Sequence, residues 1–351
     1  MNSRTPAVLP LVFALAFSAG AAPVPVAPLA PIELHGHENV FLLQNRLVEA
    51  AIFPTLGRLC TLNFRGEENV LRFDRGLAEA SVHPPVEPPG DWRNFGGDWL
   101  WPSAQEHWEK YFGKRWPAPT LLDVPPWTAH GWINDDQSQS VAMEIDLGAP
   151  LHITVQRTFT LPPDSTAITV HQRMTRTGES AMPVTLWNIS QVGGASRVAL
   201  ATETNTLFVG GYRVLDFDPP APTLLNQEDP HVLIIDVGAA EEVKLGSDSP
   251  RGWIAAQRGD YVLLERATGS PGATNFPDGG CRTELYSNRG LGYSEIETLS
   301  EERVLEVGET IENILTISLH RMPASIDNAA FAARLRELAG DPPAPLAVQT
   351  D

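Results

Sequence analysis

Short segments whose apolar residues recur at every second position set the first limit on what this chain can fold into. Leu59, Thr61 and Asn63 interleave with Cys60, Leu62 and Phe64. His152, Thr154, Gln156 and Thr158 alternate with Leu151, Ile153, Val155, Arg157 and Phe159, and Ile168 and Val170 alternate with Thr169 and His171. The runs Tyr261–Leu264 and Ile311–Leu319 continue the pattern. Period-two runs rich in β-branched residues and bounded by Gly, Pro, Asn or Asp predict antiparallel strands. Turn chemistry recurs at Pro162-Pro163-Asp164, Thr177-Gly178-Glu179 and Val307-Gly308-Glu309. No strand–helix–strand alternation and no fixed repeat of 20–50 residues accompanies them, which argues against doubly wound, propeller and solenoid folds. A length of 351 residues suggests roughly two domains. No linker or composition break divides 32–323, so one large sandwich is expected instead.

The two ends read differently. Arg4, the apolar run Leu9–Phe17 and the small residues Ala19-Gly20-Ala21 make 1–22 a secretory signal peptide. The run is too short to span a bilayer, so a secreted or periplasmic protein with no membrane contact after cleavage is expected. Residues 23–31 form a Pro-rich leader that cannot hold a helix or a central strand. After the 32–323 body, 324–340 is a helical segment. Asp327 caps it, Phe331, Leu335 and Leu338 share a face, and Gly340 stops it. The tail 341–351 is read as disordered.

Composition removes several function classes. Lys+Arg is 25 against Asp+Glu 43, a formal net charge of -18. Such a surface repels nucleic acid and anionic lipid and suits neutral or cationic small ligands. Two cysteines rule out a cysteine-built zinc site; Cys60 and Cys281 are either a disulfide or two buried thiols. There is no G-x-S-x-G, phosphate-binding loop, dinucleotide fingerprint or H-E-x-x-H. His35 and His37 are a weak metal pair, and Asp135-Asp136 reads as a solvated turn. Neither a cofactor nor a metal is expected.

Two features carry candidate chemistry. Seven of nine tryptophans fall between 92 and 132, among five prolines. The stretch reads as a long structured loop over one face of the sandwich, helix-permissive around Ser103–Lys110. Some of its indoles are expected to stack on sugar C–H faces and the rest to pack the loop. Asp98, Gln105, Glu106, His107, Glu109 and His130 supply polar partners nearby. The second feature is acidic. Glu265 ends the strand begun at Tyr261, beside the loop SPGATNFPDGG, and is placed as a general base. Glu284 lies in a strand at 282–286 and Glu295 in one at 293–297. Glu295 and Glu297 are two apart, about 7 Å between Cα atoms. That spacing fits an acid and base flanking a glycosidic bond, and equally a solvated strand face.

These residues resemble the galactose-mutarotase-like superfamily, the aldose 1-epimerase type. Glu49–Arg58 is similar to its first core hairpin. Gly96-Gly97-Asp98-Trp99-Leu100-Trp101-Pro102 with Gln105, then Phe276–Gly280 and Tyr293–Glu297, resemble a bacterial branch with a Gly-Gly-x-x-Leu-Trp-Pro signature. The resemblance covers roughly 32–322. It implies an all-β antiparallel supersandwich, here with one short C-terminal helix. It also implies anomer interconversion, in which a Glu takes the anomeric hydroxyl proton and a His protonates the ring oxygen. The two histidine positions hold Phe95 and Ile189, neither of which donates a proton. The expected machinery is therefore Glu265 as base with His107 or His130 as acid. Trp99, Trp101 and Trp187 serve as stacking walls and Asp98, Gln105, Asn188 and Gln191 as hydroxyl partners. Asp278, Glu284 and Glu295 complete the binding set. The expected function is an exported, carbohydrate-active isomerase with a carbohydrate ligand. The alternatives are a carbohydrate-binding protein without turnover and an accessory domain of a polysaccharide lyase or hydrolase.

Overall fold

The computed structural model describes residues 23–81, 93–123, 126–204, 206–268 and 273–341. Residues 1–22, read above as a signal peptide, Trp92 and the tail from 342 lie outside the described residues. Two large sheets pack face to face. In the first, the spatial order is β1 (Pro25–Leu29), β7 (Thr128–Asn134), β8 (Gln139–Leu147), β9 (Ile153–Leu161), β10 (Ala167–Arg176), β21 (Thr310–Arg321), β18 (Tyr261–Ala267), β17 (Trp253–Arg258), β12 (Arg197–Ala201), β15 (Val232–Ile235) and β14 (Leu225–Asn226). In the second it is β13 (Arg213–Val214), β16 (Glu242–Ser247), β19 (Thr283–Asn288), β20 (Tyr293–Leu299), β11 (Trp187–Gly193), β6 (Asp98–Trp101), β5 (Arg58–Phe64), β4 (Val48–Phe53), β3 (His37–Gln44) and β2 (Ile32–Leu34). The ladders are antiparallel, as the alternating pattern requires.

Alternation sorts the side chains by face. Along β9, Ile153, Val155, Arg157, Phe159 and Leu161 are buried, while Thr154, Gln156, Thr158 and Thr160 are half-buried. Phe159 and Leu161 join Leu43, Leu62, Leu285 and Ile296 of the opposite sheet in the main core. A second cluster, built around Trp99, Trp101, Trp108 and Trp187, fills the end of the sandwich nearest the Trp-rich segment.

Three local expectations change. The Pro-rich leader is drawn into the sheet, where Pro25–Leu29 pairs along β7 as an edge strand; an edge tolerates the missing proline N–H. The Trp-rich segment is not all loop. Asp98–Trp101 is a wholly buried strand inside the second sheet, since indoles suit a pleated surface packed on both faces. Only the stretch C-terminal to that strand, from the turn Gln105–His107 through the helices Trp108–Phe112 and Thr120–Asp123, lies over the sheet. Glu265 does not end its strand, because β18 runs on to Ala267 and Glu265 sits opposite Ile254 and Ile317 in mid-sheet.

The C-terminal helix spans Asn328–Leu338, and Asp327 Oδ1 accepts the Ala330 N–H at 2.8 Å. Phe331 and Leu335 are fully buried against Trp253, Val262 and Leu264 on the outer face of the first sheet. Phe331→Ala should therefore cost about 3–5 kcal/mol, and Asp327→Ala only about 1 kcal/mol. Urea denaturation of both variants checks the order.

Candidate active site

The site grows from five neighbouring strands of the second sheet, β16, β19, β20, β11 and β6. Cross-strand register places Trp101 beside Trp187, Trp99 beside Ile189, Ile189 beside Glu297 and Gln191 beside Glu295. Tyr286 in turn faces both Glu295 and Lys244. These side chains share the face of the sheet that points away from the partner sheet. They form the floor of a cavity of about 670 Å³, lined by Trp101, Ile189, Lys244, Tyr286, Tyr293, Glu295 and Glu297, with Arg72, Gln105, Trp116 and Phe217 at its sides. A smaller recess of about 310 Å³ adjoins it, shares Gln105, Asp216 and Lys244, and adds Glu106, Arg115 and Asp278.

The glycine pair ahead of β6 has a steric reason. Gly96 and Gly97 both have positive φ, and a Cβ would lie 2.1 Å from the Arg72 carbonyl oxygen at Gly96 and 2.6 Å from the Leu59 carbonyl oxygen at Gly97. Their bareness lets the segment around Arg72 cross close by, with Arg72 N–H donating to the Gln191 carbonyl at 2.8 Å and Gly97 N–H to the Arg72 carbonyl at 2.7 Å. The Arg72 guanidinium thereby reaches the cavity. It donates to Gln191 Oε1 at 3.1 Å and lies 5.2 Å from the Tyr293 ring centroid. Beneath the tryptophans, Arg58 pairs with Asp123 at 2.8 Å and stacks on Trp99 at 4.4 Å, while Trp101 Nε1 donates to Asp123.

The charges are unbalanced. Glu295 accepts from Gln191 Nε2 at 2.7 Å, and Glu297 accepts from Trp187 Nε1 at 2.7 Å. Lys244 Nζ lies 3.2 Å from Glu284 Oε2 and 5.3 Å from the Trp187 ring. One ammonium thus serves three carboxyl groups. Burial and the neighbouring Glu297 push the Glu295 carboxyl up to about 7. Burial also raises Glu297, against the opposing pull of Lys244 and the Trp187 N–H. Glu284, wholly buried, is held well above the ordinary carboxylate range by burial, with Asp278 and Glu297 adding to it. Burial alone would lower Lys244, but Glu297, Glu284 and Asp278 outweigh it and keep its ammonium charged. Carboxyls raised by burial and gathered around one ammonium are suited to giving and taking protons in one cavity.

The residues expected from the sequence divide into groups. Trp101, Gln105 and Glu295 line the cavity; Gln191, Trp187 and Glu284 touch groups that do; Asp278 lines the recess. Trp99 lies one strand position away, packed on Arg58. Asp98, Asn188 and Glu265 belong elsewhere. Strand alternation turns them toward the other sheet, where Arg157 donates to Asp98 at 2.6 Å and to Asn188 at 2.8 Å, and Asn188 donates to Asp98 and, at 3.5 Å, to Glu265. Glu265 is fully buried in this inter-sheet cluster, so it does not line the cavity as the expected base would. His107 is hydrogen-bonded to Glu302 at 2.7 Å beside the recess. Together with Glu106 these side chains have ligand atoms within 4.8 Å of one another, close enough to share a cation. His130 is exposed on β7 of the other sheet, stacked on Trp132, and away from the cavity. Phe95 is buried against Arg58, whereas Ile189 stands on the cavity floor. Cys60 and Cys281 are free and buried.

Sequence reading missed Lys244, Tyr286, Tyr293, Arg72 and Trp116, and it placed Glu297 on a face without choosing it. One signal was available for Lys244: the chain has only three lysines, Lys110, Lys114 and Lys244, and only Lys244 lies in a strand.

No family model and no curated protein matches the chain. Solved structures do. A Synechocystis protein superposes with TM-score 0.52 at 12% identity, covering 85% of this chain and 99% of its own. A candidate aldose 1-epimerase from Escherichia coli gives 0.51 at 11% identity, over 81% and 99% of the two chains. A galactose mutarotase-like protein from Lactobacillus casei gives 0.50 at 13%, over 80% and 100%. The fold is the galactose-mutarotase-like supersandwich.

The inter-sheet cluster yields a stability prediction. Burial, and then the negative charge of Asp98, raise Glu265 well above its ordinary 4.5. The folded protein therefore holds a proton that the unfolded chain releases above about 4.5, and this group's contribution to stability declines as pH rises beyond that value. Glu265→Gln should remove that decline and leave cavity function intact. Arg157→Met strands Asp98 as an unpaired buried charge and should cost about 3–5 kcal/mol. Denaturation midpoints measured from pH 4 to 8 separate the two.

Proposed function

We propose that the cavity binds a carbohydrate and interconverts its anomers, with Glu297 as base and Glu295 as acid. The observation that carries this reading is the pair itself. Two carboxyls, two residues apart on one strand, rise from the floor of an aromatic-walled cavity, one of them raised to about 7. Glu297, whose upward shift by burial Lys244 and the Trp187 N–H oppose, takes the proton from the anomeric hydroxyl. Glu295 gives its proton to the ring oxygen. The bond between C1 and the ring oxygen breaks, a C1 carbonyl forms, and the open chain turns about its first carbon–carbon bond. Closure on the other face returns both protons. Tyr286, Tyr293 and Trp101 offer ring faces and edges to the sugar, and Arg72 and Gln105 offer hydroxyl partners.

The assignment moves the base from Glu265 to the Glu295–Glu297 pair and needs no histidine. Turnover should fall toward acid as Glu297 protonates, and should fall above about pH 7 as Glu295 loses its proton. Glu295→Gln should lower anomer exchange by about 10²–10⁴-fold and abolish the alkaline limb. Exchange NMR on a panel of reducing sugars reads both effects. An unchanged rate and pH profile would remove Glu295 from the reaction.

One observation favours a second reading, binding without turnover: the β11 residue directly opposite Glu297 on the cavity floor is Ile189, an aliphatic side chain that moves no proton. Saturation transfer to a sugar without faster anomer exchange in the unmodified protein would select it.

The reading includes export, on the strength of the Arg4 start, the apolar run and the small residues at 19–21. N-terminal sequencing of the natural protein should begin near Ala22.

A further inference from the structure

The cavity is larger than one sugar ring needs. Its 670 Å³ is several times the volume of a single pyranose, and its aromatic groups are not gathered at one point. Three of them follow one another in contact. The Phe217 and Tyr286 ring centroids are 6.0 Å apart, and those of Tyr286 and Tyr293 are 6.5 Å apart. The succession starts at the surface, with Phe217 41% exposed, and ends with Tyr293, 5% exposed, on the strand of the carboxyl pair. Trp116, which also lines the cavity, is 49% exposed. A large exposed indole and phenyl lining one polar-floored cavity are unusual on a soluble protein surface unless they meet a ligand.

We propose that this cavity holds a short oligosaccharide, with its reducing-end ring over Glu295 and Glu297 and its further rings between Phe217 and Trp116. The inference rests on the sugar-site reading and adds the length of the substrate. Electrostatics narrows the class. Glu295, Glu297 and Asp216 outnumber Arg72 and Lys244, and the chain carries a net charge of -18. The glycan is therefore neutral or amino-bearing, and acidic glycans and sugar phosphates are disfavoured. Aromatic faces at the mouth supply area for sugar C–H surfaces at little entropy cost, because such rings lose few rotamers on binding.

Calorimetry on the intact protein tests the length. Glucose, galactose and mannose are compared with maltotriose, cellotriose and mannotriose. At least one trisaccharide should bind about tenfold or more tightly than its own monosaccharide. Phe217→Ala and Trp116→Ala should each return that trisaccharide to near the monosaccharide affinity, a far larger loss than either causes for the monosaccharide. Trp116→Phe, which keeps a ring, should retain most of the gain and guards against a folding defect. Trisaccharides no tighter than monosaccharides, or variants that weaken both equally, would overturn the outer subsites while leaving the sugar site standing. Binding of neither length, together with no effect of Glu295→Gln on any anomer exchange, would overturn both.

Discussion

The register of β11 between β6 and β20 governs both what this protein buries and what it presents. Along β11 the odd residues Trp187, Ile189 and Gln191 face the cavity, and the even residues Asn188 and Ser190 face the partner sheet. Hydrogen-bonded neighbours follow the same parity, so Trp99, Trp101, Glu295 and Glu297 go outward while Asp98 goes inward. A slip of β11 by one residue would exchange its own two sets. It would turn Trp187, Ile189 and Gln191 into the core and Asn188, an Arg157 partner, toward the cavity. The inward set resists that slip, because Arg157 bridges Asp98 and Asn188 across the interior.

Both faces therefore carry acids, but under different constraints. Inside, Asp98 is paired with a dedicated arginine, and Glu265 is left to hold a proton. That arrangement specifies how the sheets meet. On the cavity face, Lys244 is shared among Glu284, Glu295 and Glu297; Glu284, like Glu265, is raised well above the ordinary carboxylate range, while Glu295 is raised only to about 7. Like charges gathered around too few cations are the usual source of side chains that exchange protons near neutral pH. The buried Glu265 shows that a raised carboxyl is not enough, because it also needs a cavity.

The walls of that cavity come from loops, and the floor comes from strands. Ladders fix Glu295, Glu297 and Lys244 in place, while Gln105 and Trp116 come from the segment after β6, and Asp216 and Phe217 from the segment after β13. This division puts the carboxyl pair on the rigid part of the molecule and the exposed rings of Trp116 and Phe217 on the part that tolerates variation. At 11–13% identity to the structures it superposes on, the shared property is the frame of strands.

Period-two alternation, turn residues and the Asp327 cap made the antiparallel sandwich and its terminal helix legible in the amino-acid order, since each depends on residues only a few positions apart. Alternation also told that Glu295 and Glu297 share a face. It did not tell which face, because parity within a strand is local while inside and outside are defined by the other sheet. The same limit left Asp98 and Asn188 among the expected hydroxyl partners, although they face the partner sheet while Trp101 lines the cavity and Gln191 bonds to Glu295. Glu265 read as a strand end because a Gly- and Pro-rich loop comes soon after it, and only pairing with β17 and β21 carries its strand to Ala267. Lys244, Tyr286, Tyr293 and Arg72 reach the cavity from segments up to 221 positions apart, counting from Arg72 to Tyr293. Local pattern determined the strands and the spacing of the acids. Long-range ladder pairing decided which of those acids meet each other, a cation and open space, because the electrostatics of a site depends on distance through the fold and not along the chain.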